Sequence, residues 1–202
     1  SSDNSTLIVR GDVEVDLGSA SSDDYDYDRL DLSSTSIDGN LTVVQTRNKA
    51  DISIGDDSYY GSGGGSVLVG KDLEISTGGG SDSVETYSSS YGESFDFDGD
   101  ERAVQVGGNA SIDLGSSTAM DREEYYFDFY GHGSDRAELD SLAVRGDLTV
   151  KQTANSADIS LHDVMVDGAT EIRTARGNDY VFIGDNRVIV NPGSVVSEGF
   201  SL

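Results

Sequence analysis

Val144-Arg145-Gly146-Asp147-Leu148-Thr149-Val150 is the stretch on which the fold turns. Leu148 and Val150 flank a polar residue, the two-residue period of a strand. The Gly-Asp pair before them is turn chemistry. The same phrase recurs as Val9-Arg10-Gly11-Asp12-Val13-Glu14-Val15 and Ile37-Asp38-Gly39-Asn40-Leu41-Thr42-Val43. It returns as Val69-Gly70-Lys71-Asp72-Leu73-Glu74-Ile75, Val106-Gly107-Gly108-Asn109-Ala110-Ser111-Ile112 and Val166-Asp167-Gly168-Ala169-Thr170-Glu171-Ile172. The shared pattern is apolar, any residue, Gly, Asp or Asn, apolar, polar, β-branched.

The third position of the phrase falls at 11, 39, 71, 108, 146 and 168, so successive copies lie 28, 32, 37, 38 and 22 residues apart. A repeat of this length with uneven insertions is the signature of a solenoid, whose insertions become loops. A longer repeat is superposed. Leu41-Thr42-Val43-Val44-Gln45-Thr46 reads against Leu148-Thr149-Val150-Lys151-Gln152-Thr153, and Ala50-Asp51-Ile52-Ser53-Ile54 against Ala157-Asp158-Ile159-Ser160-Leu161. Phrases one and four, two and five, and three and six are offset by 97, 107 and 97 residues. Glycine interrupts every short apolar run, β-branched residues dominate, and no window carries a helical stripe. The expectation is an all-β fold, a right-handed parallel β-helix of about six coils from a duplicated three-coil unit. Each coil is expected to give two or three strands of three to five residues. One domain spans 1–202, with units at 7–102 and 103–190 and a C-terminal cap at 191–202. Val188-Ile189-Val190-Asn191-Pro192-Gly193 reads as a last partial coil.

The chain carries 38 acidic and 13 basic residues, a formal net charge of −25. That excess argues against nucleic acid, whose phosphates need a positive surface, and against anionic membranes. It suits a solvating coat or a divalent-cation binder. There is no cysteine, hence no disulfide framework and no thiolate chemistry. No apolar run approaches the ~20 residues of a membrane-spanning helix. The opening Ser1-Ser2-Asp3-Asn4 reads as a trimmed mature end or a fragment.

Gly177-Asn178-Asp179-Tyr180-Val181 and Thr77-Gly78-Gly79-Gly80-Ser81-Asp82-Ser83-Val84 resemble repeats of long bacterial, planctomycete-like cell-surface β-solenoid proteins, loosely related to haemolysin-type calcium-binding repeats. The resemblance implies a secreted or cell-surface, extracellular location, adhesion and bound Ca2+, with Asp82 and Asp179 as metal candidates. The departure is that a half-matching motif occurs at most once per long repeat. Arg47-Asn48-Lys49-Ala50-Asp51 and Ala154-Asn155-Ser156-Ala157-Asp158 replace it in repeats two and five, so the family's stacked calcium column does not carry over. Asp51, Asp82, Asp158 and Asp179 each lie five residues after a threonine, at Thr46, Thr77, Thr153 and Thr174. The spacing makes them equivalent turn residues that cap backbone amides.

Three insertions break the rhythm: 23–28, 91–101 and 121–140. All alternate aromatic and acidic residues. Asp96, Asp98, Asp100 and Glu101 have the alternating-oxygen spacing that suits a hard cation such as Ca2+. Tyr25, Tyr27, Tyr125, Tyr126, Phe129 and Tyr130 form a candidate surface for a protein or carbohydrate partner. The bland alternative is that the aromatics pack on the solenoid flank while the acids face water. His132 and His162 cannot make a three-histidine zinc site. Arg145, Arg173 and Asp140 could line a groove, because the fold permits polysaccharide lyases and hydrolases. The leading expectation is a non-catalytic extracellular structural or adhesion module, calcium-stabilised. A polysaccharide-active enzyme is the alternative, and an ice-binding solenoid, from the aligned threonines, is the third.

Overall fold

Alternation decides which residues become strands, and glycine-rich turns decide where they stop. The computed structural model describes residues 6–18, 27–46, 49–55, 65–87, 103–115, 135–153, 157–175, 179–184 and 195–197, and among these there is no helix. In chain order the strands are β1 (Leu7–Val9), β2 (Val13–Gly18), β3 (Tyr27–Leu32), β4 (Thr35–Ile37), β5 (Leu41–Gln45) and β6 (Lys49–Gly55). Then come β7 (Val67–Val69), β8 (Leu73–Ser76), β9 (Ser83–Tyr87), β10 (Val104–Val106), β11 (Ala110–Asp113) and β12 (Asp135–Val144). β13 (Leu148–Lys151), β14 (Ala157–Val166), β15 (Thr170–Arg173), β16 (Tyr180–Ile183) and β17 (Val195–Ser197) complete the set.

Among the described residues every strand pairing is parallel. One sheet stacks β2, β5, β8, β11, β13, β15 and β17 in that order. The other has two flanks. One flank runs β1, β4, β7, β10 and the second half of β12; the other runs β3, β6, β9 and the first half of β12. The ten-residue β12 and β14 lie in both flanks and join them. Each long strand turns its corner at a residue with left-handed backbone, Ser141 (φ 55°) and Asp163 (φ 45°). Ser34 (φ 48°) makes the same corner between β3 and β4. These two strands, with β2 and β3 at six residues and β6 at seven, overturn the expectation of strands no longer than five residues. They also correct the third insertion, because its last six residues, 135–140, are the first half of β12.

Most of the side chains that point inward are aliphatic. Ile37, Leu41, Val43, Ile52, Ile54, Val67, Val69, Leu73 and Ile75 form one half of the core, and Val104, Val106, Ile112, Leu139, Leu142, Leu148, Val150, Ile159 and Val164 the other. Register keeps like on like: Leu41 lies beside Leu73, which lies beside Ala110, which lies beside Leu148. Burying each large aliphatic side chain contributes about 1.5–3 kcal/mol relative to water.

The Gly-Asx pair in the phrase has a direct physical role. The side-chain oxygen of each Asx accepts the backbone N–H of its counterpart in the next round. Asp12 accepts from Asn40 (2.8 Å), Asn40 from Asp72 (3.2 Å) and Asp72 from Asn109 (2.7 Å). Asn109 accepts from Asp147 (2.9 Å), and Asp147 from Ala169 (2.8 Å). The separations across these five bonds are 28, 32, 37, 38 and 22 residues, the spacings of the phrase itself. The accepting oxygen sits where a Cβ would project from the glycine of the next round. A side chain at Gly39, Gly108, Gly146 or Gly168 would collide with Asp12, Asp72, Asn109 or Asp147 respectively. Acid and amide alternate along the column, so carboxylates are not stacked one strand spacing, about 4.8 Å, apart. Asn40 also donates its side-chain amide to Asp12 (3.0 Å).

Candidate functional site

Two places hold chemistry that the phrase does not supply. The first is a buried column at the start of the β3 flank. Register aligns Asp28 with Ala50 and Asp135 with Ala157, while Asp82 and Asp179 immediately precede β9 and β16. Asp82 accepts the amide of Ala50 (2.8 Å) and Asp179 that of Ala157 (3.0 Å). Asp135 accepts the amide of Asp82 (3.3 Å) and, through its other oxygen, the side-chain amide of Gln152 (3.1 Å). Gln45 makes the corresponding contact to Asp28 (3.5 Å), also across 17 residues. Asp82 and Asp135 are 1% and 0% exposed. Buried carboxylates persist only when hydrogen bonds replace their water, and those amides do so for both oxygens of Asp135 and for Oδ1 of Asp82.

This column corrects the sequence alignment of the four aspartates. Asp51 pairs with Ser83 and Asp158 with Tyr180, so the partners of Asp82 and Asp179 are Ala50 and Ala157. The turn after Thr46 and Thr153 is one residue shorter than the turn after Thr77 and Thr174. A one-residue slip reverses the face, so Asp51 and Asp158 lie in the outward rows. Asp82 and Asp179 are separated by β12 and β14 and are not brought together.

The second place is the outer face of the same flank. Asp140 is the last residue before the Ser141 corner, and His162 lies beside it, one residue before the Asp163 corner. Thr86 pins this corner: its hydroxyl donates to the Asp140 carbonyl (2.9 Å) and accepts the Asp140 amide (3.0 Å). Burial pushes the Asp140 carboxyl above its ordinary value, against the opposing pull of His162; Asp163 and Glu138 add to the rise. The His162 ring packs 5.2 Å from Phe182, whose plane is parallel to that of Tyr180 at 6.4 Å. Tyr180 and Tyr87 are exposed. Arg136 pairs with Glu138 and reaches Glu85 at 3.5 Å in the adjoining row. A carboxyl raised by burial, an imidazole and two rings on one face can hydrogen-bond and stack on a ligand. Sequence reading named Asp140 and His162 separately; their 22-residue separation, one short repeat, was the signal that pairs them.

The remaining candidates separate clearly. Asp96, Asp98, Asp100, Glu101, Tyr25, Tyr125, Tyr126, Phe129, Tyr130 and His132 lie outside the described residues, and so does the segment 188–193; Tyr27 opens β3. Arg145 pairs with Asp167 (3.0 Å) and Arg173 with Glu171 on outward positions, and Lys151 with Asp113 (2.8 Å). The threonine hydroxyls bond backbone: Thr46 to Gly18 (3.2 Å), Thr77 to Asp113 (3.4 Å) and Thr153 to Gly115 (2.6 Å). Among the described residues, no three histidine, aspartate or glutamate side chains gather as a metal site requires, and no helix is long and apolar enough to cross a membrane. No family model, no curated protein and no solved structure matches the chain.

Proposed function

We propose that the chain is a right-handed parallel β-helix of about six coils, built from a duplicated three-coil unit. We propose further that it serves as a non-catalytic structural or adhesion module of a cell-surface or secreted protein. The observation that carries this reading is the Gly-Asx column. The side chains that recur most regularly in the sequence bond one round to the next, a use that supports a scaffold. The matched pairs Gln45–Asp28 and Gln152–Asp135 support the duplication. The acidic outer positions supply a solvated coat. Calcium held by Asp96, Asp98, Asp100 and Glu101, and a protein or carbohydrate partner at the aromatic insertions, belong to the same reading.

A polysaccharide-active β-helix is the second reading, favoured by the Asp140–His162 pair beside Tyr180 and Phe182. One assay separates the two. The chain is incubated with a panel of neutral and acidic polysaccharides, and both retention and release of new chain ends are followed. Retention without release supports the module. Release that disappears in Asp140→Asn overturns it in favour of the enzyme.

A further inference from the structure

The outer face of the β3 flank carries an inference that goes beyond the module reading, because it places a ligand outside the aromatic insertions. Successive rounds set one outward position side by side. On β6 that position is Gly55, beside Tyr87 of β9. On β12 it is Asp140, beside His162 of β14. Tyr87 follows Thr86 and Asp140 follows its partner Leu139, so one row runs Gly55, Tyr87, Asp140, His162. Gly184 follows Ile183, the partner of Leu161, and extends the row by one more strand.

Glycine stands at both ends of this row, and an aromatic ring stands beside each. A Cβ at Gly55 would collide with the Tyr87 carbonyl, so the row has no side chain on that side of the Tyr87 ring, which is 42% exposed. A Cβ at Gly184 would lie 3.0 Å from Cζ of Phe182. The Phe182 ring therefore lies where a side chain of residue 184 would be, and there it packs 5.2 Å from His162. The row then reads Tyr87, Asp140, His162, Phe182: a ring at each end and two hydrogen-bonding groups between. At a strand spacing of about 4.8 Å it spans about 14 Å along the stack.

An extended polysaccharide fits such a row. One strand spacing is close to the length of one sugar unit. The apolar faces of sugar rings stack on tyrosine and phenylalanine, and their hydroxyls bond carboxyl and imidazole groups. The surrounding charge selects the sugar. Glu85 and Glu138 stand in the adjoining row, Asp158 in the row beyond, and Asp163 at the corner next to His162. Arg136, the one guanidinium on β9, β12, β14 and β16, is already paired with Glu138 and Glu85. An acidic polysaccharide is repelled by this face, whereas an ammonium group is attracted both to the carboxylates and to the ring faces.

We propose that this row binds an amino-sugar polysaccharide, a chain of β-linked glucosamine units with free ammonium groups, lying along the stack from Tyr87 to Phe182.

The test is calorimetric titration of the chain in mildly acidic, low-salt buffer, which keeps the ammonium groups charged. The probes are a glucosamine tetramer, its N-acetylated counterpart, a galacturonic acid tetramer and tetralysine. The glucosamine tetramer is expected to bind at least about tenfold more tightly than the acetylated one, and the acidic tetramer not at all. Tyr87→Ala and His162→Ala are each expected to weaken binding about tenfold. Should His162→Ala fail to fold by circular dichroism, Phe182→Leu takes its place with the same expected loss. A glucosamine tetramer that does not bind overturns the inference. So does tetralysine binding as tightly, which would mark attraction by charge alone. Binding that the variants leave unchanged also overturns it, and would place the site in the insertions with the module reading intact.

Discussion

Two columns of Asx side chains tie the rounds together, and they run in opposite directions. In the Gly-Asx column each side chain accepts the amide of the following round: Asp72 from Asn109, Asp147 from Ala169. In the column at the start of the β3 flank each accepts the amide of the preceding round: Asp82 from Ala50, Asp135 from Asp82. The first column is exposed and alternates acid with amide. The second is buried, sets Asp82 directly next to Asp135, and otherwise places alanine between acids. Water screens the first, so its sequence stays regular and its hydrogen bonds are individually modest. Low dielectric surrounds the second, so each oxygen needs a donor and each loss is costly.

The sharpest way to break the comparison is to delete one member of each column. Asp135→Ala is expected to cost about 3–5 kcal/mol in urea unfolding, because it strips acceptors from the Asp82 amide and the Gln152 side chain in the interior. Asp147→Ala, in the exposed column, is expected to cost about 0.5–1.5 kcal/mol. Equal losses would show that burial does not set the difference.

Gly108→Ala or Gly146→Ala tests whether the exposed column is as tolerant sterically as it is electrostatically. A methyl there collides with the oxygen of Asp72 or Asn109. The column must open to admit it, at about 2–3 kcal/mol, read as a lowered thermal midpoint. No change would mean that glycine is dispensable to the column.

Asn109→Asp sharpens the role of alternation by placing three acids in succession at 72, 109 and 147. The expected loss is about 0.5–1 kcal/mol at low salt, shrinking as salt is added. A loss independent of salt would assign the preference for asparagine to hydrogen bonding instead.

The smallest effect concerns Asp140. Its carboxyl is raised in the fold, so the stability it contributes is fully present below the ordinary carboxylate value and is lost as pH rises through the raised one. Asp140→Asn removes that loss. The variant is expected to gain on the wild type between acidic and neutral pH in parallel chemical melts, and an equal pH dependence in both would contradict the assignment.

The residues of the exposed column could be read from the sequence because its five Asx side chains sit at one position of a recurring phrase. The buried column was legible only in part: the spacing from threonine marked Asp82 and Asp179 as caps of backbone amides, but not which amides they cap nor that Asp135 joins them. Asp82 follows three glycines and a serine, Asp135 lies within an acidic insertion, and Ala50 and Ala157 offer no polar signal at all. The candidate site was half legible for the same reason. Asp140 and His162 are visible as residues, but their adjacency depends on β12 and β14 lying in one particular register. The spacing from threonine misled by one position because the turns after Thr46 and Thr77 differ by one residue, and a parallel ladder counts residues within strands, not across turns.

The sequence by itself determined the strand period, the all-β class and the distance from each round to the next, because alternation and Gly-Asx chemistry are local properties of the chain. Only the tertiary structure decided which aspartates are buried, where long strands turn a corner at Ser141 and Asp163, and what stands beside Asp140. Those outcomes rest on hydrogen bonds between residues 17 to 54 positions apart, and contacts that distant are fixed by the packing of the whole stack.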